Sequence, residues 1–124
     1  MIFARVYLLS IGSALPRILF VQQERIEMST FYKDPKWKSK RVRILRRDEY
    51  LCQECKRYGR STPATTVHHI IPLAWCLIYN IKLALASANL ISLCEKCHNK
   101  MHDRDSDRLT DLGLDWVKRM GRIG

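Results

Sequence analysis

Four of the five cysteines, Cys52, Cys55, Cys94 and Cys97, form two C-x-x-C pairs separated by a long gap. Each pair presents two thiolates from one tight turn, and two such turns close a tetrahedron around a single zinc ion. Four protein thiolates leave no position for substrate, so the chemistry is structural. Four unbound buried cysteines would be the bland reading, but the paired spacing argues against it. An odd cysteine count built on paired knuckles also argues against a disulfide framework and for a reducing compartment. Cys76 stands outside the pattern and reads as a small buried apolar residue.

The histidines raise a second chemistry. All four lie in two short clusters, His68–His69 and His98–His102. A lone histidine is usually a satisfied core or surface residue, but a complete set gathered in this way is harder to dismiss. His98 and His102 are four apart, so on a helix they share one face. His68 and His69 are adjacent, so on a strand they point to opposite faces. One of that pair can join the helical histidines around a metal while the other faces a substrate. Ligands on one side and a general base on the other are what metal-assisted hydrolysis needs.

The elements that must position these groups can be read from local pattern. Asp34-Pro35 reads as an N-cap and first helical residue, and Trp37, Ile44 and Leu45 recur at helical spacing, which predicts a helix from about Pro35 to Asp48. Thr65 to Leu73 (TTVHHIIPL) is β-branched and stops at Pro72, so it reads as a strand. Leu73 to Ala88 reads as a loop with a helical turn. NLISLC reads as a second strand, followed by a helix from Glu95 through His102. Leu109, Leu112, Trp116 and Met120 space as one apolar face of a last helix.

The chain has 124 residues and a formal charge of +10, with 22 Lys+Arg against 12 Asp+Glu. That length bounds it to a single domain with a modest core, where a bound metal adds folding free energy directly. The basic excess points to a polyanion, either nucleic acid or an acidic membrane, with charge alone favouring nucleic acid. Residues 1–27 differ in composition from the rest of the chain. Pro16 and Arg17 interrupt the apolar run well short of the ~20 residues that span a bilayer. They read as a leader, with a mis-annotated start as one explanation and a true N-terminal element or a signal peptide as the others, and residues 28–124 read as the functional domain.

VHHIIPL, then Asn89, then CEKCHNKMHD resembles the HNH nucleases, whose fold is the ββα-metal domain. The cysteine knuckles are similar to those of the zinc-supported branch of that family. The tail HDRDSDRLTDLGLDW resembles small phage HNH endonucleases often encoded near DNA-packaging genes. The fold class this implies is α+β: a small ββα-metal domain with a structural four-cysteine zinc site and flanking helices. The resemblance implies that His69 is the general base that activates water and that Asn89 holds the backbone of that base. It implies that His98 is a ligand of a catalytic metal. His68 stands where most members have an aspartate ligand. Colicin-type nucleases are closer here, and by that likeness His68 and His102 complete the ligand set. An all-imidazole site favours softer ions over magnesium. The expected cofactors are therefore structural Zn2+ and a catalytic divalent ion drawn from Mn2+, Ni2+, Zn2+ or Mg2+, with no small-molecule cofactor.

The expected activity is hydrolysis of DNA phosphodiester bonds, with double-stranded DNA as partner, a phage terminase as a further one, and no membrane. If the chain is phage-encoded, its place is the host cytoplasm. Lys36, Lys40, Arg43, Arg47, Lys56, Arg57, Lys96, Lys100 and Arg104 are the expected DNA contacts, although any single one of them could simply solvate a helix face. The alternative function is a non-catalytic, zinc-supported nucleic-acid-binding module, which would leave the histidines and Asn89 idle.

Overall fold

A two-stranded antiparallel ribbon separates two packed faces of the protein. The computed structural model describes residues 17–106 and 108–123. Of the leader expected over residues 1–27, residues 1–16 lie outside the described residues; the rest belongs to helix α1, Arg17–Lys33, which runs on past residue 28. Met28 and Phe31 near its end pack against the core. Among the described residues, no helix is long and apolar enough to cross a membrane.

The chain leaves α1 at Asp34, whose extended backbone is what a residue before proline adopts. Helix α2, Pro35–Arg47, starts there. Asp34 Oδ1 accepts the Lys36 amide at 2.8 Å, and Pro35 occupies the first turn where no N–H is needed. Trp37, Ile44 and Leu45 form its buried side. After Asp48 come Glu49 and Tyr50 at φ 57° and 59°, left-handed positions that non-glycine residues seldom occupy. They swing the chain into the first knuckle and helix α3, Gln53–Arg57.

Strand β1, Thr66–His69, pairs antiparallel with β2, Leu90–Leu93. The register sets His68 opposite Ile91 and His69 opposite Leu90. Directly opposed residues share a face. His68, Ile91 and Leu93 therefore face one way, where Ile91 and Leu93 join Cys52, Cys55, Cys94, Cys97 and Met101 in one core cluster. Val67, His69 and Leu90 face the other, where Val67 and Leu90 pack with Trp37, Ile44 and Leu45 of α2. Between the strands, where a loop with a helical turn is expected, lie helix α4, Leu73–Tyr79, and two 3-10 turns, Ile81–Leu85 and Ser87–Asn89.

Helix α5 is shorter than expected: it spans Glu95–Asn99 and does not reach His102. The backbone peels away because a tertiary partner claims it. His102 bridges to Leu109, the Thr110 amide donates to Met101 O at 3.0 Å, and Thr110 Oγ1 donates to Lys100 O. Helix α6, Asp111–Ile123, comes next. Leu112, Trp116, Val117 and Met120 pack against the cysteine-side cluster, while Leu109 is buried ahead of the helix. Gly113 allows this close approach, since a Cβ there would sit 2.6 Å from Met101 O.

Candidate metal centres

Cys52 caps α3 and Cys94 stands at the N-terminus of α5, so each knuckle opens a short helix. The Sγ atoms of Cys52, Cys55, Cys94 and Cys97 all lie within 4.8 Å of one another. Cys55 Sγ is 3.9 Å from Cys94 Sγ and 3.7 Å from Cys97 Sγ. A tetrahedron of thiolates with Zn–S near 2.3 Å has sulfur–sulfur edges of about 3.8 Å. All four residues are buried. Burial raises the Cys52 thiol, and burial with the neighbouring thiols pushes Cys97 higher still, whereas Thr62 draws Cys55 down to about 7. A divalent cation at their centre makes all four thiolates. This is the structural zinc site. Glu54 inside the first knuckle is buried and holds Arg57 at 2.9 Å and the Trp116 indole N–H at 2.9 Å, tying α6 to the zinc.

On the same side of the ribbon His68 meets His98 and His102. Ring centroids are 5.2 Å apart for His68–His98, 5.5 Å for His68–His102 and 6.4 Å for His98–His102. Imidazoles sharing one tetrahedral ion at about 2.0–2.1 Å put their centroids roughly 5 Å apart. His68 Nε2 is buried without a hydrogen-bond partner, an orphaned acceptor of the kind a cation satisfies. Burial first, then the nearby histidines, holds His68 well below the ordinary imidazole range. Burial and then His102 lower His98 as well. Neutral rings are the ligand form.

His69 occupies the opposite face and is 5% exposed. Its ring stacks on Trp37 at 5.0 Å, with Phe31 at 5.6 Å and Tyr32 at 6.2 Å. Nε2 lies 2.9 Å from Ala84 O. A carbonyl only accepts, so Nε2 carries the hydrogen and Nδ1 keeps its lone pair. Burial pushes this ring down to about 4, against the opposing effect of the Ala84 carbonyl. These neighbours are distant in sequence, and no local signal marked them.

Asn89 is fully buried. Its Oδ1 accepts the Ile71 amide at 2.7 Å, and its Nδ2 donates to Leu83 O at 3.1 Å and Ile71 O at 3.2 Å. Its own carbonyl accepts the Ile70 amide at 2.8 Å. Asn89 thus grips the chain just past His69.

The basic residues divide by surroundings. Lys36, Lys40 and Arg43 line an open groove of about 490 Å³ with Pro35, Ser39 and Leu85. Lys56, Lys96, Lys100 and Arg104 are exposed. Arg57 bonds Glu54 and lies 3.4 Å from Asp115. Arg47 is turned onto Asp48 and onto the backbone at Ser87 and Leu90.

Residues 52–104 match the family model of the HNH endonucleases. A probable HNH endonuclease of Lactococcus phage SK1 is 31% identical over 77 residues, which cover 62% of this chain and 80% of that relative. The chain belongs to the HNH endonuclease family. The crystal structure of the HNH endonuclease of the deep-sea thermophilic bacteriophage GVE2, with manganese ion, has a similar fold. It has a TM-score of 0.59 and 26% identity over 89% of this chain and all of that one. This HNH endonuclease is a hydrolase acting on DNA. It has the small mixed helix and two-strand architecture of that structure and four cysteines placed to hold a structural zinc ion.

Proposed function

We propose that the chain cuts double-stranded DNA with His68, His98 and His102 as ligands of the catalytic ion and His69 as general base. What supports this is the mutual approach of three imidazole rings, 5.2 to 6.4 Å between centroids, with the Nε2 of His68 buried and unpartnered. A divalent cation held there would stabilise the negative charge that builds on the phosphate oxygens and the leaving group. His69 takes the proton of the attacking water at Nδ1, since Nε2–H is committed to Ala84. Water oxygen bonds to phosphorus as the P–O3′ bond breaks, and the departing O3′ takes a proton from solvent water, leaving a 5′ phosphate and a 3′ hydroxyl. His68 and His69 stand on opposite faces, so one phosphate meets both only across the open edge of β1. The 5% exposure of His69 sets a condition: Phe31 and Tyr32 must give way before water reaches the ring.

Lys36, Lys40 and Arg43 in their groove, with Lys56, Lys96, Lys100 and Arg104, hold phosphates on this reading, a contact that orients the duplex without reading its sequence. Arg57, part of the knuckle network, adds charge there. The likeness of the tail from His102 to Trp116 to small phage enzymes supports a role in phage DNA packaging, in the host cytoplasm with terminase as partner.

The test is plasmid cleavage by metal-stripped, zinc-loaded protein across Mn2+, Ni2+, Co2+, Zn2+ and Mg2+, with His69→Ala and His98→Ala alongside. The expected result is stronger cleavage with manganese or nickel than with magnesium, and none by either variant. Best activity with magnesium would sink the three-imidazole set. A His69→Ala variant as fast as the parent would sink the base.

A further inference from the structure

We infer that Arg47, paired with Asp48, is a positioning residue for His69 and not a phosphate contact. This rests on His69 being the base. Arg47 Nε and Nη2 hold the two carboxylate oxygens of Asp48 at 2.9 and 3.0 Å. Nη1 donates to Ser87 O at 2.8 Å, and Nη2 donates to Leu90 O at 2.6 Å. Of the five N–H groups in a guanidinium, one is left to offer a ligand. Asp48 is itself buried, and its Oδ2 accepts the Ser92 amide at 2.9 Å.

The end of α2 therefore fastens the chain at residues 87, 90 and 92. Asn89 lies inside that clamp, and it binds the backbone at Ile70, Ile71 and Leu83. Leu90 is the cross-strand partner of His69. Ala84, whose carbonyl fixes the His69 tautomer, belongs to the turn that Asn89 grips at Leu83. The carbonyl on His69 Nε2 and its cross-strand neighbour thus hang on the segment that Arg47 and Asp48 hold, while Trp37, Phe31 and Tyr32 supply the aromatic walls from α1 and α2. A lysine cannot replace this fork, because it has no fixed pair of parallel donors.

The experiment compares Arg47→Lys, Asp48→Asn and His69→Ala in the full-length, zinc-loaded protein. It reads kcat, KM, the salt dependence of duplex binding, zinc content and thermal melting. Arg47→Lys should lower kcat about tenfold or more, because small misplacements of a reacting group are costly, and leave KM and salt dependence alone. Asp48→Asn should do the same although it removes no cation.

A phosphate contact gives a different pattern: kcat held in Arg47→Lys and in Asp48→Asn, and, in an added Arg47→Gln that removes the charge, KM raised and a salt slope smaller by about 0.9. That result, or a parental kcat in Asp48→Asn, overturns the inference while leaving an inactive His69→Ala and the base assignment intact. Loss of zinc or of cooperative melting in both Arg47→Lys and Asp48→Asn would assign the pair to folding alone and also overturn it. A His69→Ala variant at the parent rate removes the base assignment and this inference with it.

Discussion

Trp37 lies flat against His69, ring centroids 5.0 Å and planes 23° apart, while neighbouring His68 turns the other way to meet His98 at 5.2 Å. The pleat of a single strand thus sorts two identical side chains into unlike surroundings. One joins a polar cluster of imidazoles, and the other sits in an aromatic pocket built by α1 and α2.

Trp37 is 5% exposed and belongs to the cluster that carries Leu90. Trp37→Ala should destabilise the protein by about 3–5 kcal/mol through lost burial and the cavity left behind. Urea unfolding followed by circular dichroism measures this, and Trp37→Phe should recover much of the loss.

Phe31 and Tyr32 cover His69 from the end of α1. Replacing both with alanine should let water reach the ring. Since burial is what depresses His69 to about 4, its pKa should rise toward the ordinary imidazole value of ~6.5. Titration of the His69 ring protons by NMR reads the shift directly. Diethyl pyrocarbonate should also modify the ring faster.

Acid should weaken the fold partly through the same residue. His69 is neutral when buried, with a folded pKa of about 4 below its unfolded value. Its contribution is therefore fully present above ~6.5, on the order of 3 kcal/mol, and is lost as the pH falls toward the folded value. His69→Gln, which can still donate to Ala84 O, should show a flatter stability–pH curve between those limits. Thiolate protonation is common to both proteins, so the difference between their urea midpoints isolates the imidazole.

Removing a cysteine should act differently from removing a histidine. Cys52→Ser breaks a buried tetrathiolate and should lose bound zinc and cooperative folding together. His98→Ala should keep both and lose cleavage. Metal analysis with circular dichroism separates the two. A folded Cys52→Ser protein with a full zinc complement would contradict the structural role of the knuckles.

The knuckles and the histidine clusters were legible in the sequence because ligand spacing is local: two residues between thiols, four between His98 and His102. The start of α2 was legible for the same reason, through Asp34 and Pro35. The same four-residue spacing misled on α5. It suggests a helix through His102, but Leu109 and Thr110, which draw the backbone out of the helix, sit several residues downstream. Nothing local shows that Arg47, of the run Arg41 to Arg47, is the one tied to the segment before β2. That is decided by carbonyls at Ser87 and Leu90, some forty positions away in the chain. The pocket of His69 was hidden likewise, since Trp37, Phe31 and Ala84 reach it only through the tertiary fold.

Helix α5 has five residues, begins at a zinc ligand, contains another, and carries His98 directly after it. So short a helix does not hold its shape alone. Zinc captured by the thiolates therefore fixes the axis along which His98 is aimed, and without it that axis has no support. With His98 as the proposed ligand, scarcity of zinc should silence cleavage however much of the second ion is supplied.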